Sequence, residues 1–279
     1  MNLRKTYPVV LSIAGSDSSG GAGIQADLKT FSALGVYGAT AITAITAQNT
    51  QGVHAQFALS PRLVHDQIIA VVDDLQPSFV KIGMLSNVDI VEAVAEALSK
   101  YSIPLILDPV MVSSTGHRLL SVDAQEVVKS RLLPMSLLVT PNIPEMEALT
   151  NISVDTYEHK VQAAQSLFEY GAKAILLKGG HDEGEQKNDI LFTSSQSEIE
   201  TTIFTSETIH TRNTHGTGCT LSSAIAAFMA RGCSVVEAID KAKRFVTEAI
   251  RCGSDMAIGR GIGPVNHSFN PLKMMINEE

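Results

Sequence analysis

The 279-residue sequence predicts an α/β protein: a doubly wound, mainly parallel sheet with helices on both faces, in one domain over residues 1–279. Three observations predict it. Short β-rich runs alternate with helically periodic segments along most of the chain, the signature of successive strand–helix units. Apolar residues make up 44% of the chain, but aromatics only 5%, and Trp is absent. The core must therefore be aliphatic, which suits parallel strands buried on both sides. No Pro-rich linker, repeat or low-complexity tract divides the chain.

The elements follow in order. Val9–Ala14 is the first strand; the run is too short and ends in polar residues without a cleavage site, which argues against a signal peptide. Further strands are expected at Thr40–Thr46, Phe79–Ile82, Leu105–Asp108, Leu137–Thr140 and Ala174–Lys178. Ser60 and Pro61 start one helix as N-cap and first residue. Asn87 caps another that runs through Leu98. Ser234 and Glu237 are spaced as a capping box for a helix to about Arg251. Asp189–Phe192 and Ile199–Phe204 predict a hairpin added to the edge of the sheet. The polar segment 182–188 precedes it.

Composition excludes several classes. The net charge is −8 and Lys/Arg form no basic cluster, so no nucleic-acid partner is expected. No stretch approaches 18 apolar residues, so no membrane span is expected. Cys219, Cys233 and Cys252 match neither a zinc nor a CxxC pattern, and their odd number argues for a reducing cytoplasm. P-loop, HExxH and GxSxG motifs are missing.

Ligands of such sheets bind at the carboxyl ends of the strands, which directs attention to the segments after Ala14, Thr46, Ile82, Asp108, Thr140 and Lys178 and to the loop before the Thr220 helix. Asn213-Thr214-His215-Gly216-Thr217-Gly218-Cys219-Thr220 opens a long apolar helix; its glycines and free amides make an anion site. Cys219 at that helix mouth reads either as a thiol of lowered pKa that accepts a proton from an attacking hydroxyl, or as a buried helix cysteine after a plain glycine turn. The loop Gly15–Asp27 follows the first strand. Its Gly21-x-Gly23-x-x-Ala26 string fits a dinucleotide fingerprint, but the required acidic residue about 20 positions on is missing. The loop reads instead as a substrate pocket with Asp27 as its polar anchor, or with Asp27 as a solvated helix residue. Gln48, in Thr46-Ala47-Gln48-Asn49-Thr50 at a strand end, offers a donor and an acceptor that suit an aminopyrimidine edge, or is a polar turn residue. Asp108 and Glu145, after neighbouring strands, read as Mg²⁺ carboxylates or as helix caps. Lys178, in Lys178-Gly179-Gly180-His181, reads as a phosphate contact or a solvated lysine.

The strings IAGSDSSGGAGIQADLKTFSALGVYG, ITAQNTQGV, KIGML, LDPVM, TPNIPE, LKGGH, NTHGTGCTLSSAIAA and GIGPVNH together resemble the ribokinase superfamily, and within it the bacterial hydroxymethylpyrimidine/phosphomethylpyrimidine kinases. The resemblance implies a ribokinase-like three-layer sandwich, ATP and Mg²⁺ as cofactors and a homodimer. It implies that Gln48, Asp27, Gly15, Ala22, Met84 and Val110 bind the pyrimidine. Gly216, Gly218 and Cys219 match the anion hole and the base. Lys178, Thr211, Thr214, Gly216 and Gly218 lie near ATP, and Asp108 and Glu145 near the metal. The implied activity is phosphorylation of a hydroxymethylpyrimidine and then of its monophosphate, in thiamine biosynthesis. Cys219 stands where most of the superfamily carries Asp, which points to the pyrimidine and pyridoxal branch. A pyridoxal kinase is the nearest rival; an NAD-dependent oxidoreductase and a non-catalytic sensor are the others.

Overall fold

The computed structural model describes residues 5–113, 116–180, 184–195 and 198–278. The chain runs β1 (Lys5–Thr6), β2 (Val9–Asp17), α1 (Gly23–Ala33), β3 (Tyr37–Asn49), β4 (Gly52–Ala58), α2 (Pro61–Leu75), β5 (Phe79–Ile82), α3 (Val88–Leu98) and β6 (Leu105–Leu107). It continues through α4 (Val122–Val127), β7 (Ser136–Val139), α5 (Ile143–Thr150), α6 (Tyr157–Glu169), β8 (Ala174–Leu177), β9 (Gln186–Ser195), β10 (Glu198–Glu207), α7 (Thr217–Ala230), α8 (Val235–Arg251) and β11 (Asn277–Glu278).

Among the described residues one nine-stranded sheet has the order β10-β9-β8-β7-β6-β5-β2-β3-β4. The strands from β8 to β3 are parallel. β4 pairs antiparallel with β3, and the β9–β10 hairpin extends the other edge antiparallel to β8. A separate two-stranded ladder joins β1 to β11.

The side-chain period of two assigns each strand to two cores at once. Leu11 and Ile13, Leu105 and Leu107, and Ile175 and Leu177 face the core beneath α2, α3, α5 and α6. Val10, Ile106, Leu138 and Leu176 face the other, beneath α1, α7 and α8. Val80 and Ile82 belong to the first core, so Lys81 must point into the second. This three-layer arrangement is the expected fold class.

Several caps form as expected. Ser60 accepts from Leu63 N–H, Asn87 from Ile90 N–H, and Ser234 with Glu237 makes a capping box. The hairpin is longer than expected at both strands. β2 extends to Asp17 and β3 spans Tyr37–Asn49, so the first glycine motif starts inside a strand, with a register shift between Ala14 and Ser16. β4 was not expected at all. Its mixed pattern, with Phe57 exposed, lacks the apolar run that marks the internal strands.

Candidate active site

A cavity of about 790 Å³ opens along the carboxyl ends of the parallel strands, where the fold places ligands. Gly15, Ala22, Gln48, Met84, Val110, Asp108, Glu145, Lys178, Thr214, Gly216, Gly218 and Cys219 all line it. Twelve expected site residues, drawn from distant parts of the sequence, therefore share one wall.

One end is apolar with a polar rim. Met84 packs with Ala44, Leu119 and Val110. Gly15 admits this side chain, because a Cβ there would lie 2.8 Å from Met84 Sδ. Gln48 is anchored through its backbone: its N–H donates to Ser18 Oγ at 2.9 Å, and that hydroxyl donates to Gln48 O at 2.7 Å. Its side-chain amide lies between Thr46 Oγ1, 3.3 Å from Gln48 Oε1, and the His215 ring, and Gln48 lines the cavity.

Two residues at this end were not singled out from the sequence. Asp17 accepts hydrogen bonds from Ser19, from the Gly21 and Ala22 amides, and from His215 Nε2 at 2.9 Å. Burial alone would push its carboxyl up, but these donors bring it down to about 2. His215 Nε2 also lies 3.2 Å from Gln48 Nε2. The loop reads in sequence as a pocket anchored by Asp27; in the structure the Asp17 carboxylate is the hub around which it closes.

The middle of the cavity is the start of α7. Gly216 is its N-cap at φ 84°, a left-handed conformation that favours glycine, and a Cβ there would strike Gly21 O at 1.8 Å. The Gly218 and Cys219 amides have no acceptor among the described residues. They are orphan donors of the first helical turn, at the positive end of the helix dipole. Gly218 has room beside it, with Lys178 Nζ 3.6 Å and Asp108 Oδ2 3.9 Å from where its Cβ would be.

At the other end Lys178 Nζ bonds Asp108 Oδ1 at 2.7 Å and lies 3.6 Å from Glu145 Oε2. Burial disfavours the ammonium, but the two carboxylates outweigh it and hold its pKa above the ordinary range. Asp108 also accepts from Thr140 and Ser222. Burial pushes its carboxyl up, and Lys178 and Lys81 more than reverse this. Glu145 closes a capping box with Asn142, so the cap reading holds for it, and it faces the cavity as well. Burial raises its carboxyl to about 6, with Lys178 opposing and Asp108 reinforcing the rise.

This donor set fits Mg²⁺ held through water. Both oxygens of Asp108 already accept protein hydrogen bonds, whereas Glu145 Oε1 accepts from no donor among the described residues. Mg²⁺ keeps several waters and needs few carboxylates. No cluster of three or more His, Cys, Asp or Glu side chains suited to a metal occurs among the described residues.

Three expectations are corrected. Asp27 is not on the cavity wall; it is fully buried beneath it, paired with Lys81 Nζ at 3.0 Å and bonded by Ser12 and Ser223. Its position on α1 faces the sheet, so the carboxylate meets the Lys81 that β5 directs upward. Thr211 also lies off the wall: its hydroxyl donates to Ser254 O and accepts from Asn213 N, building a turn. Cys219 does line the cavity, but its thiol is pushed up to about 11. Burial is the largest cause, reinforced by Asp27 and Asp108; Lys81 and the Gly23 amide pull the other way without prevailing. Desolvation therefore outweighs the helix dipole on which the sequence expectation rested. His181 lies outside the described residues, as do Asp182 and Glu183 of the polar segment.

A family model described as phosphomethylpyrimidine kinase matches residues 17–266. The hydroxymethylpyrimidine/phosphomethylpyrimidine kinase of Escherichia coli (strain K12) is 46% identical over 259 residues, covering 92% of this chain and 96% of that protein. The same-named protein of Bacillus subtilis (strain 168) is 44% identical, covering 92% and 93%. Among solved structures, a Bacillus subtilis pyridoxal kinase in complex with ADP superposes at a TM-score of 0.84, with 35% identity, covering 94% of this chain and 98% of that one. The phosphomethylpyrimidine kinase of Clostridium difficile 630 superposes at 0.74, with 44% identity, covering 87% and 99%.

Proposed function

Because the chain belongs to the hydroxymethylpyrimidine/phosphomethylpyrimidine kinase family, a family of phosphotransferases in thiamine biosynthesis, we propose that its cavity holds the pyrimidine against Gln48 and Met84 and a nucleoside triphosphate against Lys178. The observation that carries this is the placing of the α7 amides between the two ends of one cavity. An anion held there faces the hydroxymethyl group on one side and the Lys178 cluster on the other.

The substrate hydroxyl attacks the γ-phosphate in line, and the bond to the β–γ bridging oxygen breaks. The Gly218 and Cys219 amides bind the equatorial oxygens where charge builds up. Lys178 binds phosphate oxygens as a point charge. Asp108 and Glu145 would hold Mg²⁺, which when bound would neutralise charge on the phosphates. The hydroxyl proton passes to Cys219. A thiol at about 11 is mostly protonated near neutrality. Phosphoryl transfer through a loose transition state makes little demand on the nucleophile's proton early in the reaction, so a minor thiolate population suffices. The monophosphate returns to the same site with its phosphate as the new acceptor.

ATP as the donor rests on the nucleotide complexes of the neighbours. We further propose one kinase domain over the chain, a homodimer and a cytoplasmic location. All three cysteines are free, in keeping with a reducing compartment, and no helix among the described residues is long and apolar enough to cross a membrane.

Pyridoxal is the second reading, favoured by the closer superposition on pyridoxal kinases; sequence identity favours the pyrimidine. ADP release by purified protein with MgATP and either hydroxymethylpyrimidine, its monophosphate or pyridoxal decides between them. Higher kcat/KM on the pyrimidines is expected, and a clear preference for pyridoxal overturns the choice.

A further inference from the structure

A glutamine can read one edge of a heteroaromatic ring only if something decides which end of its amide carries the hydrogens. At Gln48 the neighbours make that decision. The Asp17 carboxylate can only accept, and His215 Nε2 bonds it at 2.9 Å, so that ring nitrogen carries a hydrogen whether the imidazole is neutral or charged. The structure sets Gln48 Nε2 3.2 Å from the same nitrogen. Two hydrogen-bearing groups then face each other, which is repulsive. A half-turn of the amide resolves it, and amide orientation is decided by the hydrogen-bond network. Gln48 Oε1 then accepts a shared hydrogen from His215.

The half-turn also improves the other side. It brings the amide nitrogen to the oxygen's former place, 3.3 Å from Thr46 Oγ1. The Thr46 hydroxyl hydrogen is already committed to Ser16 O at 2.9 Å. Its lone pair is therefore open to accept one amide hydrogen, and the facing of two donors is relieved.

His215 is held firmly in this post. It is 5% exposed. Its backbone N–H donates to Gly263 O at 3.0 Å. Its ring occupies space that exists only because residue 21 is glycine: a Cβ there would lie 2.3 Å from His215 Cδ2.

We propose that Asp17 and His215 are specificity-determining positioning residues, which fix the Gln48 amide with its oxygen toward His215 and its second N–H toward the cavity, where it meets the ring-nitrogen acceptor of an aminopyrimidine. This rests on the pyrimidine-kinase reading. The chain of contact runs Asp17–His215–Gln48–substrate, so His215 acts through Gln48 and not on the reacting atoms.

A double-mutant cycle tests it: wild type, His215→Phe, Gln48→Ala and the double variant, each assayed for KM and kcat with hydroxymethylpyrimidine and for KM with ATP. Phe removes the ring N–H while leaving Asp17 its Ser19, Gly21 and Ala22 donors. His215→Phe should raise the pyrimidine KM roughly two- to tenfold, the span of one neutral hydrogen bond, with saturating kcat and the ATP KM little changed. In the Gln48→Ala background it should add almost nothing. An unchanged KM in the single variant, a fall in kcat instead, or a full and additive effect without Gln48 overturns the proposal. Thermal melting checks folding, and His215→Asn, too short to reach Gln48, replaces Phe if that variant does not fold. Failure of wild type to phosphorylate the pyrimidine defeats the function reading alone; the cycle is then read on pyridoxal, where the same non-additivity is required.

Discussion

Replacing Lys81 by Met tests whether the Asp27–Lys81 pair is the structural element its burial implies. Both side chains are fully buried, and Lys81 Nζ lies 3.0 Å from each Asp27 oxygen. Removing the ammonium leaves a carboxylate with, among the described residues, only the Ser12 and Ser223 hydroxyls as donors. Breaking a buried pair from one side costs about 3–5 kcal/mol, against a total stability of about 5–15 kcal/mol for an ordinary domain. The stranded carboxylate can relieve the cost by taking a proton, so the deficit should be large at pH 8 and shrink toward pH 4. The double variant Asp27→Asn/Lys81→Met, which removes both charges, should recover most of the loss. Urea titration followed by circular dichroism at both pH values measures this through the midpoint, with the slope m unchanged. A Lys81→Met variant within about 1 kcal/mol of wild type at pH 8, or a deficit independent of pH, refutes the argument.

Two glycines of one motif should behave oppositely. Gly216→Ala meets Gly21 O at 1.8 Å in a left-handed conformation, and should lower the melting temperature sharply; Gly218→Ala meets nothing closer than 3.6 Å, should melt at or slightly above wild type, and should lose at least about tenfold in kcat, the effect expected from obstructing an oxyanion donor. Glu145 titrates at about 6 in the fold against an ordinary 4.5. A raised carboxyl stabilises below its unfolded value and loses that contribution as pH rises through the folded one, so wild type should lose roughly 2 kcal/mol between pH 4.5 and 7 that Glu145→Gln does not lose; equal pH profiles in urea titrations contradict this. With the Cys219 thiol near 11, kcat should climb with pH between 6 and 9, by up to about tenfold per unit. Cys219→Ala should abolish the climb and cut turnover strongly while ATP binding by calorimetry stays near wild type. A flat wild-type profile removes the thiolate from the reaction.

The internal strands were legible because each is an aliphatic run whose alternate residues serve two cores, as Leu105–Leu107 does. The edge strand β4 is not written that way: none of its residues is fully buried, and His54 and Phe57, on opposite faces, are both exposed, so no apolar run or alternation marks it. In the site, legibility followed the backbone. Gly216, Gly218 and Lys178 sit at strand and helix ends, where local spacing fixes position, and all reach the cavity. Roles that depend on a partner across the fold were not legible. Asp27 and Asp108 are both acids near a glycine-rich or strand-end turn. One is sealed by Lys81 and the other lines the cavity, because β5 points Lys81 into the helix layer above α1's buried face. The same limit hid the Asp17–His215 pair, whose members are 198 residues apart. It also inverted the expectation for Cys219. The helix start that favours a thiolate is visible in sequence, but the burial that disfavours it, and the Asp27 and Asp108 carboxylates that reinforce it, come together only in the fold. Desolvation is a property of the assembled fold, and in this cavity it is the larger effect.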